Sequence, residues 1–246
     1  MEIENKLDKI FEFLNSNREH NHNLQERFYG SVLKPYNSIP EKIISLLYHI
    51  ANTQSQPKID NLAKFFIELH ENIECLSSFQ SFVEFVKPKN ETEYNFRTLY
   101  LGMEKQSGWG KKTSALFVKT IFHLHNTEYS KELNIWNDVP KTIEKNDEFF
   151  LPVDAVIVSI FKKLNSEIKW DFEKVNTKLK KVYKERQIEV WDDLWFWGFI
   201  TQNGTGENRK FEWNLNKYWA LKETDKNKTE IKIIENKAET FLKLMN

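Results

Sequence analysis

Ser107-Gly108-Trp109-Gly110-Lys111-Lys112-Thr113-Ser114-Ala115-Leu116-Phe117 opens the stretch on which the reading of this chain turns, and Leu151-Pro152-Val153-Asp154-Ala155-Val156-Ile157-Val158 closes it. Two of the chain's seven glycines flank Trp109, directly before a run that reads as helix. A Gly-x-Gly turn feeding a helix start lets backbone N–H groups face outward and hold an anion such as phosphate. Lys112 stands two residues past Gly110, and a second helix start at Pro152-Val153-Asp154 supplies a carboxylate. An amine and a carboxylate at two helix starts make a candidate reaction centre that needs no metal.

Outward from this stretch the spacing predicts helices almost everywhere. Residues 111–125 bury Ala115, Leu116, Ile121 and Phe122, residues 92–105 form the preceding helix, and 153–164 follow with Val156, Ile157, Ile160, Phe161 and Leu164 inward. Between them, 126–150 is rich in Asn, Lys and Glu with Trp136 as its main apolar residue, and reads as an insertion looping out. Nearer the N-terminus, 2–16 is amphipathic, 18–23 reads as a polar loop, and Ser38-Ile39-Pro40-Glu41 marks a capped helix start. The apolar helix that follows ends at 52–57. Residues 58–72 and 76–86 read as two more helices, with Cys75 between them as a packing residue. Further on, 168–186 and 229–245 have helical periodicity, 189–198 reads as an aromatic core helix, and 203–219 as a loop.

Seven Gly and six Pro in 246 residues, against abundant Lys, Glu, Leu and Phe, make the expected class all-α. That length buries one sizeable core or two small lobes sharing a cleft. A single cysteine excludes a disulfide framework, a Cys-rich zinc site and a four-cysteine iron–sulfur cluster. His20 and His22 lack a third ligand at a supporting spacing, and His123 and His125, two apart on a helix, point to different faces; no metal or other cofactor is expected. No apolar run reaches membrane length and the acidic N-terminus does not read as a signal peptide, so a soluble cytoplasmic protein is expected.

Gly108-x-Gly110-x-Lys112 followed by Pro152-Val153-Asp154 resembles the helix-hairpin-helix DNA glycosylases, the superfamily of endonuclease III and the 8-oxoguanine glycosylases. Lacking the cluster cysteines, the chain is most similar to the compact archaeal-type 8-oxoguanine glycosylases. The resemblance implies a two-lobed fold with a cleft, a single unit over 1–246 whose helix-hairpin-helix core lies at about 92–165. It also implies a monomer acting on double-stranded DNA with a damaged base. Lys112 would attack the sugar as a Schiff-base nucleophile with associated β-lyase activity, and Asp154 would assist. Gly108, Trp109, Gly110 and Lys111 would hold a DNA phosphate. The close match covers roughly 60 residues and departs from the pattern twice. Ser107-Gly108 replaces the family's usual Pro-Gly, and Lys112 and Asp154 lie 42 positions apart, which requires the insertion.

Three further residues have two readings each. Gln54 matches a family position that fills the gap left by a flipped base, and equally reads as a polar helix end before Pro57. Asp193-x-x-x-Trp197 resembles the base pocket of the archaeal-type group, with Asp193 accepting the N7–H that distinguishes 8-oxoguanine from guanine and Trp197 stacking on the base. The plainer reading makes Trp197 a core residue and Asp193 solvent-facing.

The charge balance weighs against nucleic acid, since Lys plus Arg and Asp plus Glu stand at 36 each. A local patch can still serve, and Lys105, Lys111, Lys112 and Lys119 with the 174–186 run are its candidates. Two other classes are compatible with the sequence: a non-catalytic helix-hairpin-helix duplex clamp, and a helical interaction protein without a nucleic-acid role.

Overall fold

The computed structural model describes residues 2–144, 147–184, 186–221 and 227–246. It is mostly helical, as the composition requires, and the only strands among the described residues are two of two residues each, β1 (Gln202–Asn203) and β2 (Lys210–Phe211), paired antiparallel. The chain divides into two units. A central unit covers Gln25–Pro152, and a terminal unit joins Met1–Leu24 to Val153–Asn246.

The central unit contains the later part of α2 (Arg18–Leu33), then α3 (Ile39–Ala51), α4 (Ile59–Glu71), α5 (Phe79–Val86), α6 (Phe96–Lys105) and α7 (Lys111–Asn126). Its core is aromatic: Phe65, Phe79, Phe82, Phe96, Phe117, Phe122 and Trp136 are fully buried. Helix α3 starts where its local signals say. Ser38 accepts from the Glu41 N–H, and the Glu41 carboxylate takes the Ser38 N–H in return.

Residues 127–150 do not loop out. They bury Tyr129, Leu133, Ile135, Trp136, Val139, Ile143 and Phe149, although a single 3-10 turn, Lys131–Leu133, is their only regular element among the described residues. The Trp136 indole donates to the Leu76 carbonyl at 2.8 Å. Asp138 accepts the N–H groups of Phe79 and Gln80 at 2.9 Å each, and Asp147 accepts those of Phe96 and Arg97 at 3.1 and 2.7 Å. Helices α5 and α6 therefore have the same two-part cap. Their own Ser78 and Asn95 take the third-position N–H, while an aspartate from the segment takes the first two. The docking was concealed because two aspartates supply part of it.

The terminal unit contains α1 (Glu2–Ser16), the start of α2, α8 (Ala155–Leu164), α9 (Phe172–Lys180), α10 (Arg186–Val190), α11 (Asp193–Ile200), the β1–β2 hairpin, α12 (Leu215–Leu221) and α13 (Lys228–Leu244). Leu7, Ile10, Leu14, Phe161, Trp191, Trp197 and Phe241 lie at its centre. The predicted loop at 18–23 is helical, because Arg18 and Asn21 are held by carboxylates from α10 and α11. The helix expected over 168–186 is shorter. Asp171 accepts the Lys174 N–H and starts α9 at Phe172, leaving Ile168 and Val182 exposed beyond its ends. The aromatic run at 189–198 is split between α10 and α11, and 203–219 contains the hairpin and the start of α12.

Candidate functional site

The predicted site residues fall in both units. In the central unit, α6 and α7 are joined by the turn 106–110. Gly108 has a φ of +82°, and a Cβ there would come within 2.8 Å of the Leu62 backbone nitrogen and side chain, so glycine is required on both counts. Gly110 is different. It is extended, with φ −145° and ψ 175°, and a Cβ on it would meet nothing within 4 Å. Neither backbone strain nor packing demands glycine there. Its effect is to leave the start of α7 uncovered, where the Lys112 and Thr113 N–H groups have no acceptor among the described residues. Thr113 caps the turn instead, its hydroxyl bonded to both the N–H and the carbonyl of Gly110.

Lys112 occupies the first turn of α7, half-buried, with Nζ donating to the Thr53 carbonyl at 3.1 Å. Gln54, next in the chain, donates from Nε2 to the Gly108 carbonyl at 3.2 Å. These two bonds tie the segment after α3 to the 106–110 turn, so Lys112, Gln54 and Gly108 are brought together. Lys111 is exposed. The Trp109 side chain faces the core. It is buried edge-on between Phe65 and Phe117, at ring distances of 5.8 and 6.1 Å, so only its backbone could hold a phosphate. Lys119 is also buried and is lost to any surface patch.

In the terminal unit Asp154 is the N-cap of α8. Its Oδ1 accepts the N–H groups of Val156 and Ile157 at 2.9 and 3.1 Å. Oδ2 accepts the Trp195 indole N–H at 3.0 Å. Helix α8 thus begins at Ala155, and Pro152 precedes it instead of forming its first turn. The indole reaches Asp154 because α8 and α11 pack very closely at Gly198, where a Cβ would come within 2.7 Å of Val156 and Ile160. Trp195 also stacks on Phe199 at 5.0 Å and 16°. A carboxylate can accept about four hydrogen bonds, so Oδ2 keeps capacity beyond the indole.

Asp193 and Trp197 are inside this unit, both with 0% exposure. Trp197 is enclosed by Phe13, His20, Phe196 and Phe241 at ring distances of 4.9 to 6.5 Å, so the stacking face expected of it is covered. Asp193 is not solvent-facing either. Arg18 Nε donates to its Oδ2 at 3.0 Å and Asn21 to its Oδ1, while Arg18 also pairs with Glu189. Burial pushes the Asp193 carboxyl up to about 8 against the opposing pull of Arg18 and Asn21. Burial opposes the charge on Arg18, yet Glu189 and Asp193 together hold its guanidinium above the ordinary value.

No local signal announces the Trp195–Asp154 bond, since the aromatic run reads as core throughout. A half-buried tryptophan within it is visible only once the face of α11 is known. Among the described residues no group of three His, Cys, Asp or Glu is placed to hold a metal ion, and no helix is long and apolar enough to cross a membrane. Comparison with protein-family models, curated proteins and solved structures finds no match.

Proposed function

We propose that this protein is a bifunctional DNA glycosylase and AP lyase that excises an oxidised purine, 8-oxoguanine, from duplex DNA. The observation that carries the reading is Lys112 in the first turn of α7, two residues past a glycine that packing does not require. Uncovered N–H groups at a helix start suit a phosphate, and an amine beside them lies within reach of the attached sugar. In the proposed reaction the Lys112 amine attacks C1′ as the N-glycosidic bond breaks, and the base leaves with the bonding electrons and takes up a proton. Ring opening passes an amine proton to O4′ and gives the Schiff base, loss of the C2′ proton expels the 3′ phosphate with the C3′–O bond electrons, and hydrolysis of the imine returns the amine. The Asp154 carboxylate stabilises positive charge on the sugar. The choice of 8-oxoguanine rests on the resemblance, and Asp193, fully buried, could accept its N7–H only if its surroundings opened.

A second reading, a non-catalytic duplex clamp, is favoured by the engagement of Asp154 in capping α8. Borohydride trapping on duplexes carrying 8-oxoguanine, uracil, thymine glycol or an alkylated purine separates the two. The glycosylase forms a covalent adduct that Lys112→Gln abolishes while DNA binding persists. An adduct lost in Lys111→Gln and kept in Lys112→Gln would move the nucleophile. No adduct on any of these duplexes, despite binding, would leave the clamp.

A further inference from the structure

Two cations gather beyond the C-terminal end of α11, and no carboxylate among the described residues pairs with either. Arg209, just before β2, donates from Nη1 to the Gln202 Oε1, and Gln202 in turn donates to the Val156 carbonyl in the first turn of α8 at 3.1 Å. Lys217, on α12, places Nζ 4.9 Å from the centre of the Phe199 ring. Phe199 is the residue stacked on Trp195, whose indole binds Asp154. Both cations are therefore linked to the start of α8, one through Gln202 and the other through the two stacked rings.

Neither Arg209 nor Lys217 forms an ion pair among the described residues, and Arg209 Nε is buried without a hydrogen-bond acceptor. Glu212, nearby in the chain, accepts from Asn203. Burial, and then the charge on Arg209, press the Lys217 ammonium below its usual value. Half-buried like charges with spare donors are costly when alone and favourable around an anion. A guanidinium and an ammonium together present the donors that the oxygens of a phosphodiester accept. The half-buried Trp195–Phe199 pair beside them offers the flat apolar surface that a sugar or base covers.

We propose that Arg209 and Lys217 hold a backbone phosphate of a DNA strand, with the Trp195–Phe199 stack against the adjoining nucleotide. The assignment of DNA as ligand rests on the glycosylase reading, and the test keeps the two apart. Binding to a duplex with a tetrahydrofuran abasic-site analogue is measured against salt concentration for the unaltered protein, Lys217→Gln, Arg209→Gln and the charge-keeping Lys217→Arg. Each phosphate contact contributes about 0.9 to the slope of log affinity on log salt. The slope should fall by up to about that amount in each Gln variant and stay unchanged in Lys217→Arg. Melting curves identify a variant that fails to fold, and Lys217→Gln alone suffices if Arg209→Gln does. Borohydride trapping on damaged duplexes is run in parallel. Trapping with an unchanged slope in Lys217→Gln overturns the phosphate site and leaves the glycosylase. A reduced slope without trapping keeps the site and removes the enzyme. Absence of DNA binding overturns both.

Discussion

Asp154 separates a catalytic carboxylate from a helix cap, because asparagine and alanine remove different things. Alanine abolishes both backbone bonds on Oδ1 and the indole bond on Oδ2. Losing an N-cap costs about 1 kcal/mol and up to about 2. The Trp195 bond is a single hydrogen bond of a half-buried residue and adds about 1 kcal/mol at most. For a chain of this size 1 kcal/mol corresponds to about 2–4 °C in Tm, which puts Asp154→Ala roughly 2–12 °C below the parent. Asparagine caps about as well as aspartate. Its amide NH₂ meets the indole donor, so a loss of about 1 kcal/mol or less is expected. If the carboxylate stabilises the sugar cation, both variants lose excision by about a hundredfold or more, although only alanine melts much earlier. Single-turnover excision beside thermal melts reads the two effects separately. Asp154→Asn within a few-fold of full excision, with Asp154→Ala melting low, would refute the catalytic role and leave a cap.

Three further expectations concern stability. His125 accepts the Ile135 N–H at 3.3 Å and must be neutral to do so, and burial pulls its ring down to about 4 against the charge of Asp138. The folded state then binds fewer protons than the unfolded one below the ordinary histidine range. The contribution is present above about pH 6.5 and lost as pH falls toward 4, and His125→Gln should flatten that acid limb in Tm measurements. Asp193 has the opposite sign. With its carboxyl raised to about 8, the folded chain holds a proton that the unfolded chain has released, so stability falls as pH rises from about 4 to 8. Asp193→Asn should show a shallower decline across that range, and parallel curves would place the titration elsewhere. Asp138→Ala strips the first two N–H groups of α5 of their acceptor, at about 1–2 kcal/mol by denaturant unfolding; no change in midpoint would mean that water replaces the carboxylate without cost.

What could be read in the sequence depended on how far away each partner lies. Ser38, Pro40 and Glu41 determine the start of α3 among themselves, and the start was legible to the residue. Gly108 was legible for the same reason, as a turn glycine before a helix. Arg18 and Asn21 look like loop residues because the carboxylates that hold them lie more than 170 positions away. Trp197 had both a pocket and a core reading, and an indole among Phe13 and Phe241 belongs to a core, as does that of Trp109 among Phe65 and Phe117. The positions of Lys112 and Asp154 at helix starts were legible; their hydrogen-bond partners, Thr53 and Trp195, were not.

The shared capping of α5 and α6 bears on the order in which the central unit is completed during synthesis. Each aspartate lies 50 to 59 positions after the N–H groups it accepts. A nascent chain that has passed α7 but not Asp138 has the apolar faces of both helices without the acceptors that finish their first turns. Phe79, Phe82 and Phe96 can collapse at that stage, but the N–H groups beside them face a core that does not yet supply their partners. Ribosome-bound chains with residue 126 just beyond the exit tunnel should thus be protease-sensitive at α5 and α6. Chains long enough to expose Asp147 beyond the exit tunnel should become resistant in a single step, since one segment closes both helices.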